Sequence, residues 1–564
     1  MPKINSPDEL EELRKSILSK RDINKTCIAI CSGTGCHSHD NQKIISIFKE
    51  EISKQSLEAK VDIRETGCLS LCEKGPIVII YPEEICYMEV KPEDVSEIVS
   101  QNIVNNKVIE RLVYTDPESG KKEIHVEDIA FYNNQMRLLT GNSGKIDPKN
   151  IEDYLAAGGY SALTKVLLKM SPEQVITEIK DSGLRGRSGG GFPAGRKWEA
   201  GRKAEGDTKF IICNCHEGDP GAFVDRKLIE GNPHSILEGM IIGAYAIGAN
   251  EGYIFVGDEF PLTVENTEMA IRQAEEYGLL GENILGSGLN HNVVINIDGG
   301  GYVCGESTAL MASMEGRVGE PRTKYDHATE RGLWAKPTVL NNLQTWANVP
   351  LIINQGSDSY SKIGTENSKG TRVFSLVGKI KNSGLVEVPM GMTLREVIFD
   401  IGGGIKGNKK FKAVQAGGPL GGFVPESLLD IPVDFDEMSK AGLSVGPSLI
   451  VLDEDSCIVD IIKYYLGFLY EESCGKCTPC REGIRQMIRI VTNITEGKGK
   501  DGDIELLELL SEVQKDAALC ALGQGVSGPF LSAISHFRDE FEAHIKDERC
   551  PALVCETLST PVNK

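Results

Sequence analysis

The chain is 564 residues long with a net charge of −21, a length that divides into about three to five domains. The acidic balance argues against nucleic acid or an anionic membrane surface as partner, since both want a basic face. Sixteen cysteines behind an N-terminus, MPKINSPDELEELRKS, that lacks an apolar signal core argue against secreted disulfides and for metal or iron–sulfur ligation in the cytoplasm.

Residues 6–20 read as an amphipathic helix with Ser6 as N-cap and Pro7 in its first turn. TCIAICSGTGCHSHD reads as a strand ending at Cys31, a turn, and then Cys36. The helix NQKIISIFKEEISKQ, a strand over 59–63, Cys68, Cys72 and a strand over 77–81 complete a small β-α-β-β unit. Cys31-x4-Cys36 and Cys68-x3-Cys72 put four thiolates on two loops, enough for two irons and two sulfides. Zinc pairs prefer x2 spacing and redox dithiols C-x-x-C. The pattern over residues 25–95 resembles the thioredoxin-like 2Fe–2S ferredoxin family. Cys27 and Cys86 are expected as buried strand cysteines.

Residues 107–147 read as a connector with a short hairpin at ESGKK, and helices follow over 148–155 and 161–170. SPEQVITEIKDSG opens with an N-cap serine and an N1 proline. That helix runs into GLRGRSGGGFPAGRKW, residues 183–198, so this loop is expected to hang off a helix C-terminus, not an N-terminus. Six of its sixteen residues are glycine, leaving backbone N–H groups uncovered and able to nest an anion such as phosphate. Arg185, Arg187, Arg196 and Lys197 are expected to add positive charge, and Phe192 and Trp198 to offer flat surfaces to a ring. The spacing is not a strand-borne G-x-G-x-x-G.

Beyond the loop, strands and helices alternate as in a parallel α/β sheet, with loop residues at the strand C-terminal ends. KFIICNC and EGYIFVG are strands, HEGDPGAFVDRKLIEG a polar loop, NPHSILEGMIIGAYAIG an amphipathic helix and LTVENTEMAIRQAEEYGLLG a helix. HNVVINIDGGGYVCGESTALMASMEG gives a strand, a second glycine turn and a helix. Asn214, Glu217 and Asp219 follow the first strand, while Asn341 and Asn342 are expected to begin a helix after KPTVL.

GLRGRSGGGFPAGRKW, CNCHEGDPGAFVDR, GGGYVCGESTALMASMEG and KPTVLNNLQTWANVP resemble, in order and spacing, the flavin- and nucleotide-binding subunit of respiratory complex I and its hydrogenase and formate dehydrogenase relatives. The resemblance runs over residues 130–548. It implies FMN in the 183–197 loop, held by Gly186, Arg187, Gly189, Lys197, Asn214, Asn341, Asn342 and Thr345. It places Glu217, Tyr302, Gly305 and Ser307 beside the cofactors, Phe192 and Glu306 as the catalytic pair on the nicotinamide side, and Lys324 toward the dinucleotide. The family's Asn-Ala-Asp-Glu is here Asn214-Cys215-His216-Glu217; His216 replaces a carboxylate and is expected as a tolerated substitution. NAD-linked relatives read Cys-Gly-Glu-Glu where this chain has Cys304-Gly305-Glu306-Ser307. Loss of the second carboxylate removes a charge that would repel a 2′-phosphate, and Arg322 and Lys324 are placed to supply the counter-charge, which implies NADP(H).

Residues 371–428 read strand, turn, strand, helix and resemble the family's ubiquitin-like insert, with AVQAGGPLGGFVP as a structural turn. Cys474, Cys477 and Cys480 form C-x2-C-x2-C at a helix start, and Cys520 supplies a fourth thiolate, the pattern of a 4Fe–4S cube. Flanking helices suggest a bundle. Cys457, His544, Cys550 and Cys555 would make a closed Cys3His zinc set, against the alternative of four unrelated residues near a terminus.

The expected architecture is α/β multidomain: a thioredoxin-like 2Fe–2S domain over 1–105, a connector over 106–150, an FMN- and NAD(P)-binding α/β domain over 151–350, a ubiquitin-like (SLBB-type) domain over 351–440, a helical 4Fe–4S domain over 441–548 and a tail with zinc ligands over 549–564. The resemblance implies hydride transfer between NAD(P)(H) and FMN, with electrons relayed through the 4Fe–4S and 2Fe–2S clusters to partners. The fused 2Fe–2S domain resembles that of soluble electron-bifurcating FeFe-hydrogenases, implying a hydrogenase catalytic subunit and a small 2Fe–2S subunit as partners. The rivals are the matching subunit of an NAD(P)-dependent formate dehydrogenase or NADH:quinone oxidoreductase-like complex, and a non-catalytic scaffold. No apolar run approaches the ~20 residues of a membrane span, so membrane insertion is not expected.

Overall fold

Ser6 caps the helix Pro7–Lys20 by accepting from the Glu9 N–H, and Leu10 and Ile17 bury its inner face. The computed structural model describes residues 3–22, 24–117 and 119–558; residues 559–564 of the expected tail lie outside them. The strand Thr26–Cys31 runs parallel to Val61–Thr66 and antiparallel to Val78–Tyr81, which pairs in turn with Ile85–Tyr87. With side chains alternating by strand period, Ile28 and Ile30 pack on the helix Asn41–Lys54 while Ala29 and Cys31 face a second core. The second strand thus starts later than expected, and a fourth, three residues long and carrying buried Cys86, is added. Cys27 is buried on its strand.

In the central sheet the strands Thr338–Asn342, Phe210–Cys215, Glu251–Gly257 and Asn292–Asp298 lie in that order, all parallel. The last strand in sequence has returned beside the first, so the order reverses at Phe210–Cys215. The crevice beyond such a reversal is where open α/β sheets bind ligands. Asn214 and Asn342 are register partners at that end.

Three expectations need correction here. HEGDPGAFVDRKLIEG is not all loop: Val224–Gly231 is a helix, with Val224, Leu228 and Ile229 buried. Pro233–Ile247 is not amphipathic but buried except at Ser235 and Tyr245; its Gly239 and Gly243 leave room for Trp346, which a Cβ at either would meet within 2.4 Å. Asn341 and Asn342 end a strand, and the helix begins at Leu343 with Asn342 as its N-cap.

A five-stranded mixed sheet follows, ordered Gly384–Pro389, Thr371–Gly378, Ser448–Asp453, Phe411–Ala416, Gly422–Pro425. AVQAGGPLGGFVP is its last hairpin, turning at Gly417 and Gly418 with φ of 103° and 69°. The helices Ile458–Glu471, Thr478–Thr495, Asp503–Ala517 and Ser527–Lys546 share one core with Phe210, Ile212, Phe255 and Leu310 of the central domain. The C-terminal cysteines are thereby packed against the central sheet. No helix among the described residues is long and apolar enough to cross a membrane.

Candidate active site

The glycine loop lies between two helix ends. It leaves Pro172–Asp181, as expected, but also enters the N-terminus of Ala194–Lys203. AGRKWEAGRK buries Ala194, Trp198 and Gly201 at helical spacing, so the end of the motif is helix. Gly189 and Gly191 have φ of 107° and 58°, and a Cβ at Gly190 would meet nothing.

Two of its arginines shape the loop from within. Arg185 donates to Gly191 O, pairs with Asp436 at 2.9 Å and lies over the Phe435 ring. Arg187 is 1% exposed and donates to Lys369 O at 2.6 Å and Arg185 O at 3.1 Å. Trp198 offers no surface to a ligand: it is fully buried, 5.4 Å from Trp346 between ring centroids.

A cleft of about 420 Å³ opens at the strand C-terminal ends. Arg187, Ser188 and Gly190 reach it from the loop, Asn214, His216, Glu217 and Asp219 from the first strand, and Tyr302, Gly305, Glu306 and Ser307 from the second glycine turn, with Lys324 and Asn342 completing the wall. Asn214 Nδ2 donates to Gly305 O at 2.9 Å, joining the two strand ends. Asn342 Nδ2 donates to Asp225 at 2.5 Å, and the Tyr302 hydroxyl to Asp219 at 2.8 Å. Glu306 caps the helix Ser307–Met314 by accepting from the Thr308 and Ala309 N–H groups, and Lys324 Nζ lies 2.8 Å from its carboxylate. Ser307 Oγ donates to Glu306 at 3.1 Å.

The remaining expected ligand residues stand behind the cleft. Thr345 Oγ1 accepts from the Arg187 N–H at 3.0 Å, the Gly186 N–H donates to Phe192 O at 2.8 Å, and Lys197 Nζ donates to Leu340 O at 2.8 Å. Asn341, its amide oxygen turned toward Trp198 Nε1 at 2.9 Å, is buried. Thr345 thus ties the loop to the helix Leu343–Gln355, and Lys197 and Trp198 tie the helix Ala194–Lys203 to the strand Thr338–Asn342. Phe192 is 54% exposed and outside the cleft lining. Asp225, Gln344, Leu420, Ala521 and Leu522 line the cleft as well. For Asp225 the signal was the helical spacing of Val224, Leu228 and Ile229, and for Gln344 its place in KPTVLNNLQTWANVP; Leu420, Ala521 and Leu522 come from distant segments.

Electrostatically the cleft has two ends. Burial, reinforced by Asp225, pushes Glu217 up to about 8, and burial takes Asp219 and Asp225 to about 6. At Glu306 burial is outweighed by the bonds from Lys324 and Thr308, which hold it below the usual range. Burial, then Lys324, brings Lys197 down to about 8. Of the three, Glu217 alone therefore keeps its proton at neutral pH, while the other end of the cleft is a fixed anion–cation pair. Arg187 Nε, Gln344 Oε1 and both ring nitrogens of His216 are buried without a protein partner, and Asp298 Oδ2 is 3.7 Å from the His216 ring. Unpaired polar atoms around an open glycine backbone fit a polar ring-and-phosphate group such as FMN.

The cysteines converge into three groups. Cys31 and Cys36 sulfurs are 3.1 Å apart and those of Cys68 and Cys72 3.8 Å. Hydrogen bonds from Cys31 and Cys72 hold Cys68 well below the usual thiol range, and Lys227 adds its charge. Four thiols on two facing loops are the donor set that a two-iron cluster takes. Cys474, Cys477, Cys480 and Cys520 line one cavity, with Val303 and Leu522. Cys477 and Cys520 are helix N-caps there. Cys457, His544, Cys550 and Cys555, all buried, bring their ligand atoms within 4.8 Å of one another.

Residues 179–351 match the family model of the Nuo51 FMN-binding domain, 460–544 the iron–sulfur binding region of NADH-ubiquinone oxidoreductase-F, and 16–102 the thioredoxin-like [2Fe-2S] ferredoxin. The NADP-reducing hydrogenase subunit HndC of Solidesulfovibrio fructosivorans is 50% identical over 427 residues, 76% of this chain and 87% of that one. One of the NADH-quinone oxidoreductase F subunits of Rhizobium meliloti is 42% identical over 415 residues, 73% of this chain and 99% of that one. The crystal structure of an NAD+-reducing [NiFe]-hydrogenase in the H2-reduced state shares the fold, with a TM-score of 0.66 at 24% identity over 96% of this chain and 90% of that one. With a flavin-type cleft at the sheet's reversal point and two cysteine sites on either side of it, the chain belongs to the family of FMN-binding, iron–sulfur oxidoreductase subunits that includes the F subunits of NADH-quinone oxidoreductase.

Proposed function

We propose that the chain is the diaphorase-type subunit of a redox complex, exchanging hydride between NADP(H) and FMN in the cleft. The observation that carries this reading is that Val303 and Leu522 line both the cleft and the Cys474–Cys477–Cys480–Cys520 cavity, so a group in the cleft lies against a 4Fe–4S site. Bound FMN supplies the conversion between a hydride's two electrons and the single electrons that clusters carry. The chain's own residues position and shield. Ser188 and the Gly190 backbone would hold the phosphate, and Asn214 and Asn342, which fix the strand ends, would hold the ring. Glu217 holds a proton at the buried end, beside Asp225. Glu306 and Lys324 flank the nucleotide, with Ser307 leaving room for a 2′-phosphate. In anaerobically purified protein one FMN per chain should be reduced faster by NADPH than by NADH, and Ser307→Glu should abolish that preference. Two like charges ~4 Å apart cost about 4 kcal/mol at an effective dielectric near 20. A wild type that prefers NADH ends the NADP assignment.

The fused 2Fe–2S domain and the likeness to a hydrogenase subunit favour an electron-bifurcating FeFe-hydrogenase as the complex; a formate dehydrogenase or quinone oxidoreductase-like assembly is the alternative. Subunits co-purified from the native source decide. The five-stranded sheet from Thr371 to Asp453 is assigned as the ubiquitin-like domain, which moves its end past the expected 440. Cys457, His544, Cys550 and Cys555 are assigned to zinc. His544 Nδ1 is bonded to Glu540 O at 2.7 Å, leaving Nε2 toward the sulfurs of Cys457 and Cys555 at 3.5 and 3.4 Å; a carbonyl on the far nitrogen is what orients a metal-bound imidazole. Zinc should be present at one per chain and lost in Cys550→Ser/Cys555→Ser; zinc unchanged by that variant would refute the site.

A further inference from the structure

Lysine is almost never fully buried without a partner, yet Lys227 has 4% of its side chain exposed and Glu230 1%, with Nζ 3.0 Å from Oε2. Both stand on Val224–Gly231, the helix of the central domain that meets the 2Fe–2S loops. Glu230 also accepts from the Thr34 N–H at 3.2 Å, from the Thr34 hydroxyl, and from Thr263 Oγ1 at 3.3 Å. Thr34 lies in the turn between Cys31 and Cys36, so this carboxylate is tied across the domain contact. A Cβ placed on Gly33 would lie 3.1 Å from Lys227 Nζ and 3.5 Å from Cys68 Cβ; the ammonium and the Cys68 side chain converge on one point. Gly67 seals the contact, since a Cβ there would be 2.3 Å from Gly231 Cα. The charge is thus held in a water-poor joint, where screening is weak.

We propose that the buried Lys227–Glu230 pair, supplied by the flavin domain, sets the reduction potential of the 2Fe–2S centre. The proposal rests on the 2Fe–2S reading of Cys31, Cys36, Cys68 and Cys72. Reduction adds one negative charge to the cluster, so the nearer member of the pair decides the sign. Net charge and hydrogen bonding around the sulfurs are the protein's levers on such potentials. Lys227 is the nearer member: a Cβ on Gly33, in the turn between Cys31 and Cys36, would lie 3.1 Å from its Nζ and 3.6 Å from Glu230 Oε2. The pair therefore favours the reduced cluster, and it does so only while the two domains are docked.

The test is an EPR-monitored redox titration of the two-iron signal in the intact protein. Lys227→Met should move the midpoint to more negative potential, Glu230→Gln should move it to more positive potential, and Lys227→Arg should stay near wild type. These opposite signs separate a charge effect from loosened packing, which would move both variants the same way. Should Lys227→Met fail to fold, the near-isosteric Glu230→Gln carries the test alone. A wild-type two-iron signal with midpoints unmoved, or moved in one direction, overturns the proposal; a wild type with no two-iron signal sinks the cluster assignment and the proposal together.

Discussion

The two proposed iron–sulfur sites flank the cleft in opposite ways. On the Cys474–Cys520 side the contact is apolar and direct, with Val303 and Leu522 belonging to both walls. On the Cys31–Cys72 side it runs through the helix Val224–Gly231, with Asp225 in the cleft and Lys227, Glu230 and Gly231 at the cysteine loops. Eight residues of helix span about 12 Å. The first connection is set by the packing of two apolar side chains. The second is built from ionisable groups, so what happens at one end is felt electrostatically at the other. One side is a fixed conduit, the other an adjustable one.

Removing one ligand from each side gives the largest effects. Cys477→Ser should lose the four-iron signal and keep the two-iron one, and Cys31→Ser should do the reverse; loss of both signals in either variant would show that the sites do not assemble independently. A smaller change breaks only the adjustable side. Gly67→Ala places a methyl group where Gly231 Cα stands and should cost about 1–3 kcal/mol, the usual penalty for overpacking. It should lower the melting temperature of the N-terminal domain and leave the four-iron EPR signal as in wild type. A thermal profile identical to wild type would mean that the contact is not rigid.

This asymmetry also governs what could be read from the sequence. The proposed cluster cysteines are marked by spacing, because three of four on the apolar side share one loop, and Cys31, Cys36, Cys68 and Cys72 sit on two. The parallel sheet was legible from its alternating strands and helices. The helix at 224–231 was hidden behind GDPG and by its charged residues, so Asp225, Lys227 and Glu230 read as loop. Trp198 and Arg185 looked like ligand residues because composition alone does not say which way a side chain turns. The tertiary partners that turn them, Trp346 and Asp436, are more than a hundred residues away. Leu420 and Leu522 reach the cleft from other domains, and only the assembled fold could place them.

The mildest test contrasts the two walls by pH. Glu217 accepts from the Val224 N–H at 2.6 Å and the Arg226 N–H at 3.3 Å, so it pins the start of the charged helix. Burial, with Asp225 second, raises it from 4.5 to about 8. Between those values the folded protein keeps a proton that the unfolded chain has released. Stability must therefore fall as pH rises from 4.5 toward 8 and level off above, since its slope follows the difference in bound protons. Glutamine carries no such proton but gives up one acceptor, a loss of about 1 kcal/mol. In flavin-free protein Glu217→Gln should be slightly less stable than wild type at pH 5 and more stable at pH 8, by about 2 kcal/mol after allowing for relaxation around the buried group. Leu522→Ala, on the apolar wall, should cost about 2–4 kcal/mol at both pH values, because a cavity does not titrate. Urea melts at the two pH values read both variants. A Glu217→Gln difference that stays constant across pH, like that of Leu522→Ala, would erase the distinction between the two sides.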